Sequence, residues 1–245
     1  LAIIFITVFI DLLGFGMVIP FLPLYAEHLG GTPFVAALLG TAYAAMQFVF
    51  APIWGRLSDR IGRKPVLLAS TSVAACSYAV FAIGSGLHGS AALWIFLISR
   101  MIAGACGANL AVAQAYIADI TPPADRSRRM GLIGMAFGLG FIVGPAIGAV
   151  SVHLLGQSGP GWAAMGICLI NFLAAFFFLK ESWTPRAEHV TERPHWEQWK
   201  HVMAHPTIAL LIGIFFFSMI SFACFEMTLG LLVCANFNLN PARPH

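Results

Sequence analysis

Long apolar runs separated by short polar segments dominate the chain. An α-helix rises about 1.5 Å per residue, so about 20 apolar residues cross the hydrocarbon core of a bilayer. Inside that core each backbone polar group must be satisfied within its own segment, which favours helices. The pattern therefore predicts an all-α membrane protein with seven spans, numbered here in chain order. The runs cover residues 1–26, 35–54, 65–86, 91–118, 130–154, 161–179 and 207–233.

The composition agrees with this pattern and excludes several classes of protein. Of the 245 residues, 59% are hydrophobic and only 9% are charged, whereas soluble domains carry about 25% charged residues. So few charges cannot cover a surface in water, which argues against a soluble enzyme, a disordered chain and a nucleic-acid-binding protein. The HExxH, GxSxG and phosphate-binding-loop motifs are absent from the sequence. We therefore expect no enzyme activity, no cofactor, and an ion gradient rather than ATP as the energy source.

The basic residues lie on one side of the predicted membrane. They fall between spans 2 and 3, spans 4 and 5, and spans 6 and 7, while the alternate segments contain no Lys or Arg. By the positive-inside rule, the basic side and the N-terminus are cytoplasmic. The residues are Arg56, Arg60, Arg63, Lys64, Arg126, Arg128, Arg129, Lys180, Arg186, Arg193 and Lys200.

One long polar stretch divides the chain. Residues 180–206 hold eight of the 23 charged residues, and within them Trp196–Trp199 is predicted as a short interfacial helix. The predicted domains are a six-helix N-terminal bundle over 1–179, a cytoplasmic linker over 180–206, span 7 over 207–233 and a tail over 234–245.

Three residues in this linker have a spacing that suits a metal ion. Glu197, His201 and His205 repeat every four residues and would share a helix face. Such a face could bind zinc, but a solvated polar face is the favoured interpretation. We therefore expect no metal site.

Three ionisable residues fall inside the apolar spans. Asp11 lies near the middle of span 1, Arg100 near the middle of span 4, and Glu226 in the outer part of span 7. Charges inside a bilayer are costly and usually functional, so we expect them to face a polar cavity or a partner. An ion pair between Asp11 and Arg100 would lower the cost for both, either with a functional role or as a packing contact alone. Glu226 either carries a proton or reaches the interface and is solvated.

Span 4 carries a face of small and polar residues. Along this face, the cation Arg100 is followed at helical spacing by small residues and by the amide of Gln114. Such a face would let another helix or a ligand approach closely. Gln47 in span 2 is the other amide expected to line such a cavity. The residues of the face are Arg100, Gly104, Gly107, Ala111, Gln114 and Ala118.

Span 5 is rich in glycine. Gly140, Gly144 and Gly148 follow one another at four-residue steps, and Pro145 lies among them. Glycines at this spacing permit close helix contact, and the proline removes a backbone hydrogen bond. The pattern predicts a tight seam at which two helices can rock, or a packing contact alone.

Together these motifs resemble the major facilitator superfamily. The segment after span 2, with Gly55, Asp59, Arg60, Gly62, Arg63 and Lys64, is similar to that superfamily's signature between helices 2 and 3. Arg100 followed by Gly104 resembles its helix-4 motif. The series Gly131, Gly140, Gly144, Pro145 and Gly148 resembles the antiporter motif of its drug:proton branch. Residues 11–23 resemble helix 1 of the tetracycline-efflux-like group.

The resemblance implies a proton-coupled secondary transporter in the bacterial inner membrane that exports small, drug-like molecules by alternating access. It implies that Asp11, with or without Glu226, carries the proton, and that Arg100 tunes that acid or contacts substrate. Gln47 and Gln114 would line the cavity. The charges of the signature segment, paired with Asp119 at the end of span 4, would form a cytoplasmic gate. Protons, a small-molecule substrate and lipid are thus the expected partners, and the oligomeric state stays open.

The sequence also departs from the family pattern. Ser77 stands where tetracycline exporters carry an acid, and Ala149 follows Gly148 where paired glycines are common. The family has twelve helices, so the seven spans correspond to the N-terminal half plus helix 7, which indicates a truncated form. Two alternatives stay open: an inactive membrane fragment, and a sugar or metabolite transporter of the same superfamily. A retinal pump is disfavoured because span 7 contains no lysine.

Overall fold

The computed structural model describes residues 2–28, 32–87, 89–107, 109–183 and 203–236. These residues form helices and turns, and no strand occurs among them. Three short 3-10 turns interrupt or join the helices, at Ile19–Phe21, Pro123–Asp125 and Gly156–Ser158. The α-helices are α1 (Ala2–Val18), α2 (Leu22–His28), α3 (Pro33–Ile61), α4 (Arg63–Ser85), α5 (Ser90–Cys106), α6 (Asn109–Asp119), α7 (Arg126–Leu155), α8 (Gly159–Phe178) and α9 (Pro206–Asn236).

The helices are long and apolar enough to cross a membrane, which confirms the all-α membrane fold. Six segments of the described chain meet this criterion. One of them, 56 residues long, contains both α7 and α8, which fold back on each other at the turn Gly156–Ser158. The segments are Ala2–Ala26, Phe34–Ile61, Arg63–Ser85, Ala91–Asp119, Pro123–Phe178 and Pro206–Glu226.

Two of the predicted spans are interrupted rather than continuous. In span 1, α1 ends at Val18 and a 3-10 turn containing Pro20 leads into α2, because proline cannot donate the hydrogen bond that would continue the helix. In span 4, α5 ends at Cys106 with Gly107 as its C-cap, and α6 begins at Asn109. Pro145 causes no such break. The helix α7 is 30 residues long and continues through it.

The first six spans pack into one bundle. Helix α1 packs on α7 and α8, α4 packs on α8 and α5, and α3 packs on α5. Two clusters of buried apolar side chains fill the bundle, one around Val66 and Ile117 and the other around Phe81 and Phe96. A cavity lies where α1, α3, α4, α5, α6 and α7 approach one another.

Helix α9 lies against one side of this bundle. It contacts α2 and the turn Ile19–Phe21, and the Phe222 ring lies 5.6 Å from Phe137 and 5.4 Å from Phe141 between ring centroids. The large side chains Phe215, Phe216 and Phe217 are exposed. Most of the predicted linker, with Trp196–Trp199, Glu197 and His201, and most of the predicted tail lie outside the described residues.

Candidate functional site

The cavity in the bundle has a volume of about 230 Å³ and a wall that is mainly apolar and aromatic. Its polar groups come from four different spans, so the fold, and not any single helix, assembles it. The polar lining residues are Asp11, Tyr43, Gln47, Ser77, Tyr78 and Asn109.

Asp11 is held in the cavity by an amide. Asn109 donates a hydrogen bond from its Nδ2 to Oδ2 of Asp11, and the side chain of Asn109 is buried. The second oxygen of each side chain, Asp11 Oδ1 and Asn109 Oδ1, is buried without a hydrogen-bond partner among the described residues. Asn109 was not predicted from the sequence, because the amides Gln47 and Gln114 were chosen in the spans and Asn109 lies off the face on which Gln114 was placed. A search for any polar side chain within run 91–118 would have found it.

Arg100 does not pair with Asp11, contrary to the expected ion pair. No carboxylate of the described residues lies within 4.0 Å of its guanidinium. The side chain is 1% exposed, and its Cζ lies 5.8 Å from the centroid of the Tyr78 ring and 5.2 Å from that of Phe81. The guanidinium is therefore stabilised by two aromatic faces. Its Nε and Nη2 atoms have no hydrogen-bond partner in the described part of the chain.

The break in span 4 is held by side chains from two other helices. Gln47 Nε2 on α3 donates to the Gly107 carbonyl at 3.0 Å, and Trp54 Nε1 on α3 donates to the Ala105 carbonyl at 2.6 Å. Ser70 Oγ on α4 donates to the Cys106 carbonyl. A helix end leaves its last carbonyls without helical partners, so these three donors satisfy the groups that the break exposes.

Like Arg100, the predicted cavity residues Gln114 and Glu226 do not line the cavity. Gln114 is exposed on α6 and does not line the cavity, because the break at Gly107 ends the continuous face on which it was predicted. Glu226 is half-buried on α9 and lies close enough to Tyr43 to influence it electrostatically. Its Oε1 atom is buried without a hydrogen-bond partner among the described residues.

The predicted seam of span 5 lies against span 1. A Cβ atom on Gly144 would stand 2.7 Å from the carbonyl carbon of Gly16, and one on Gly140 would stand 3.0 Å from the carbonyl carbon of Leu12. A Cβ on Gly148 would meet the Met17 carbonyl oxygen at 2.9 Å. The three glycines therefore bring the backbones of α7 and α1 into direct contact. Gly131, the first glycine of the motif, has open space at this point.

The charges of the signature segment form a cluster around Arg63. Its Nη2 atom lies 2.7 Å from Asp59 Oδ1, and its Nε lies 3.1 Å from Asp119 Oδ2. Its Nη1 donates to Ser58 Oγ at 2.6 Å. The expected contact between this segment and Asp119 is therefore made by Arg63. Arg60 is exposed, and Lys64 Nζ instead donates to the Phe176 carbonyl at 2.9 Å.

Glu181 completes this cluster and was missed by the sequence reasoning. Its carboxylate accepts hydrogen bonds from the backbone N–H groups of Arg63 and Lys64, at 2.9 and 3.0 Å, and so caps α4. The N–H groups of Ser182 and Trp183 donate to it as well. Gly62 has φ +104°, and a Cβ there would meet Glu181 Oε2 at 2.6 Å. Nothing in the local sequence links residues 118 positions apart, so only the fold reveals this cap.

Comparison with known proteins identifies the family. The Major Facilitator Superfamily profile matches residues 4–242. This chain belongs to the major facilitator superfamily. It is 41% identical over 183 residues to Tetracycline resistance protein, class C, of Escherichia coli. The aligned region covers 72% of this chain and 43% of that protein. It is 33% identical over 221 residues to Major facilitator superfamily domain-containing protein 10 of Bos taurus, covering 78% of this chain and 46% of that one.

Solved structures show the same fold for this major facilitator chain. The crystal structure of the human organic anion transporter MFSD10 (TETRAN) matches with a TM-score of 0.62 at 32% identity, over 75% of this chain and 47% of that one. The peptide transporter POT in complex with sulfate matches with a TM-score of 0.61 at 16% identity, over 89% and 45%. The chain spans about half the length of the curated relatives it matches.

Proposed function

We propose that this chain forms one half of a proton-coupled secondary transporter that exports small, drug-like molecules by alternating access. The observation that carries the proposal is the Asp11 carboxylate, which lies in the cavity with a neutral amide as its partner and one oxygen unpartnered. A carboxylate paired with arginine is held in its charged form. An amide exerts a weaker hold, so this carboxylate can bind and release a proton during transport.

Two further features support alternating access. The glycine seam brings the backbones of α1 and α7 together without interlocking side chains, which suits helices that rock against each other. The ion pairs of Arg63 with Asp59 and Asp119 join the end of α3, the start of α4 and the end of α6. In the proposed cycle these pairs form the cytoplasmic gate. Gly62 forms the turn between α3 and α4, whereas Gly55 and Arg60 lie within α3 and Lys64 lies within α4, so the predicted loop is helical except at Gly62.

The chemistry of the cavity supports a small aromatic or apolar substrate. The wall presents Phe15, Tyr43, Tyr78 and Phe137, and aromatic faces bind flat apolar ligands well. The relatives are named for tetracycline resistance and for organic anion transport. Ser77, which lines the cavity without a charge, makes this wall differ from the tetracycline-exporter pattern. A panel of substrates is therefore required, with sugars and metabolites as the alternative class.

We propose a cytoplasmic N-terminus in a bacterial inner membrane. The contact of Arg63 with Asp119 places the α3–α4 loop beside the end of α6. The basic residues of these two regions, Arg56 to Lys64 and Arg126 to Arg129, thereby gather at one end of the bundle. A single basic end supports the orientation by the positive-inside rule.

The test uses everted membrane vesicles containing the chain, acidified inside. Addition of a transported substrate should release protons, measured with a pH-sensitive dye, using tetracycline, organic anions and sugars in turn. Asp11→Asn should abolish the response to whichever substrate is active. The matched control is Asp125→Asn, an acid in the exposed turn before α7. An unchanged response in Asp11→Asn would show that Asp11 does not carry the proton.

An inactive membrane fragment is the second candidate, favoured by the exposed apolar face of α9 and by the length of the chain relative to its relatives. Under this alternative the chain inserts with its spans in place but gives no proton release with any substrate. A form extended by five further spans would then restore the response. Proton release by the 245-residue chain itself would rule out the fragment hypothesis.

A further inference from the structure

Asn109 occupies a special place in span 4. It is the first residue of α6, directly after the break that separates α6 from α5. Three side chains of α3 and α4 bind the carbonyls at the end of α5. Helix α5 is therefore fixed to its neighbours at the break, whereas α6 begins with a side chain that reaches across to Asp11.

The far end of α6 reaches the gate. This helix has 11 residues and ends at Asp119, whose Oδ2 lies 3.1 Å from Arg63 Nε. At about 1.5 Å per residue its length is about 16 Å. A short, stiff helix thus connects the contact with Asp11 at one end to the ion pair with Arg63 at the other.

An asparagine amide can bind a carboxyl group in both of its protonation states. With the carboxylate, Nδ2 donates, as the structure shows. When Asp11 takes a proton from water, its O–H becomes the donor, and the Asn109 amide can turn so that Oδ1 accepts. The contact then persists, but it changes from a charge-assisted hydrogen bond to a neutral and weaker one.

Among the described residues, no stronger competing partner faces Asp11. The groups that interact with it electrostatically are the Tyr43 hydroxyl of α3, the Tyr78 hydroxyl of α4 and the Cys168 thiol of α8. Helix α7 presents the glycines of the seam to α1. The Arg100 cation of α5 lies over Tyr78 and Phe81, and Glu226 of α9 lies toward Tyr43.

We infer that Asn109 is the positioning residue through which protonation of Asp11 changes the hold on α6 and thereby the Asp119–Arg63 gate. This inference rests on the proposed role of Asp11. In the deprotonated state the charge-assisted bond ties α6 to α1. In the protonated state the tie is weaker, α6 is freer to move at the break, and the gate at its other end can open.

The test is amide hydrogen exchange of the full chain in lipid nanodiscs, read on peptides from residues 109–119. Asp11→Asn stands for the protonated state and is compared with the parent at one pH, so that intrinsic exchange rates are equal. We expect exchange in α6 to rise about tenfold, because one hydrogen bond to a charged group is replaced by a neutral one. In Asn109→Leu, exchange should be raised already and Asp11→Asn should add nothing.

Two further variants make the result independent of one substitution. Asn109→Ala also removes the amide, with a smaller side chain, and should behave as Asn109→Leu does. Gln114→Leu removes an exposed amide from the same helix and should keep the full response to Asp11→Asn. If Asp11→Asn raised exchange equally with and without Asn109, or left α6 unchanged, the inference would be overturned. Loss of proton-driven export in Asp11→Asn with an unresponsive α6 would overturn it while leaving the proposed function intact.

Discussion

Gly144 on α7 lies against the backbone of Gly16 on α1, so closely that a Cβ on Gly144 would stand 2.7 Å from the Gly16 carbonyl carbon. Real Cβ atoms do not approach backbone at this distance, so any side chain at Gly144 forces the two helices apart. The contact fixes span 5 beside span 1. Asp11 lies on span 1, about one and a half helical turns before Gly16, and is therefore held at a fixed distance from span 5.

Enlarging Gly144 should therefore destabilise the bundle. We expect Gly144→Leu to lower the free energy of unfolding by about 1–3 kcal/mol, the usual cost of overpacking a tight contact. The buried thiols of Cys106 and Cys168 give the readout, since a thiol-reactive dye reports their exposure during heating in detergent. Gly138→Leu is the control, because a Cβ at Gly138 meets open space on the same helix. Equal stability of the two variants would contradict the close approach seen in the structure.

The cap that Glu181 places on α4 should contribute to stability in a pH-dependent way. Partial burial raises the pKa of Glu181, but its four backbone N–H donors lower it by more, so the pKa lies below its ordinary value of 4.5. A carboxylate with a lowered pKa stabilises the fold fully above the ordinary value, and this contribution is lost as pH falls through the lower, folded-state pKa. Stability should therefore decline as the pH is lowered below 4.5.

Glu181→Gln should remove this part of the pH dependence and lower stability at neutral pH by about 1 kcal/mol, the usual cost of losing a helix cap. Unfolding in detergent at pH 7 and at pH 4 measures both effects. Asp125→Asn serves as the reference, since that acid precedes α7 without a side-chain capping bond. A parallel loss of stability in parent and Glu181→Gln on acidification would show that other groups cause the decline.

Arginine at position 63 should not be replaceable by lysine. The guanidinium contacts Asp59, Asp119 and Ser58 through three different nitrogens, and a single ammonium cannot reproduce that fork. We expect Arg63→Lys to lower the free energy of unfolding by about 1–2 kcal/mol, because the buried Ser58 hydroxyl loses a charged donor, while the pairs with the more exposed Asp59 and Asp119 contribute less. Arg60→Lys, at an exposed position of the same segment, should be near neutral in the same thermal assay. Similar losses in both would mean that the fork geometry is unimportant.

The break in span 4 should depend on the Trp54 indole. Trp54→Phe keeps an aromatic side chain, though a smaller one, and removes the donor to the Ala105 carbonyl, so we expect a loss of about 0.5–1.5 kcal/mol from the hydrogen bond. Hydrogen exchange of residues 101–107 should increase in the same variant. Trp94→Phe, on the exposed face of α5, is the matched control and should leave exchange there unchanged. An unaffected segment 101–107 in Trp54→Phe would show that the other donors hold the break alone.

The sequence predicted an all-α membrane fold because membrane burial imposes a simple rule on composition, and the structure confirms that fold class, with spans 1 and 4 interrupted. It also predicted the glycine seam, since glycines spaced by four residues favour close helix contact in a membrane, although Gly134 and Gly138 of the same helix face open space. The partner of that seam, α1, did not follow from the sequence, because spacing on one helix carries no information about the helix it faces. The break at Gly107 was missed for a related reason: hydropathy stays high through it, while the donors that compensate for it, such as Trp54 and Ser70, are far away in sequence.

The candidate site shows the same limit more sharply. Asp11 and Arg100 were expected to attract each other, since opposite charges in a low dielectric do so strongly. The fold instead gives each a different kind of partner: an amide for Asp11, and aromatic faces for Arg100. Rules about charge predicted which residues need a partner. They did not predict which neutral groups the packing would supply.

The helix contacts repeat within the bundle. Span 1 packs on span 5 as span 4 packs on span 2, and span 1 packs on span 6 as span 4 packs on span 3. These contacts are related by a pseudo-twofold operation that exchanges spans 1–3 with spans 4–6. Because each set contains an odd number of spans, the two sets cross the membrane in opposite directions. Such inverted repeats are general in this superfamily. Spans 1 and 4, the two interrupted spans, are equivalents under this pseudo-twofold axis. Asp11 and Asn109 therefore meet where two inverted triplets of helices join.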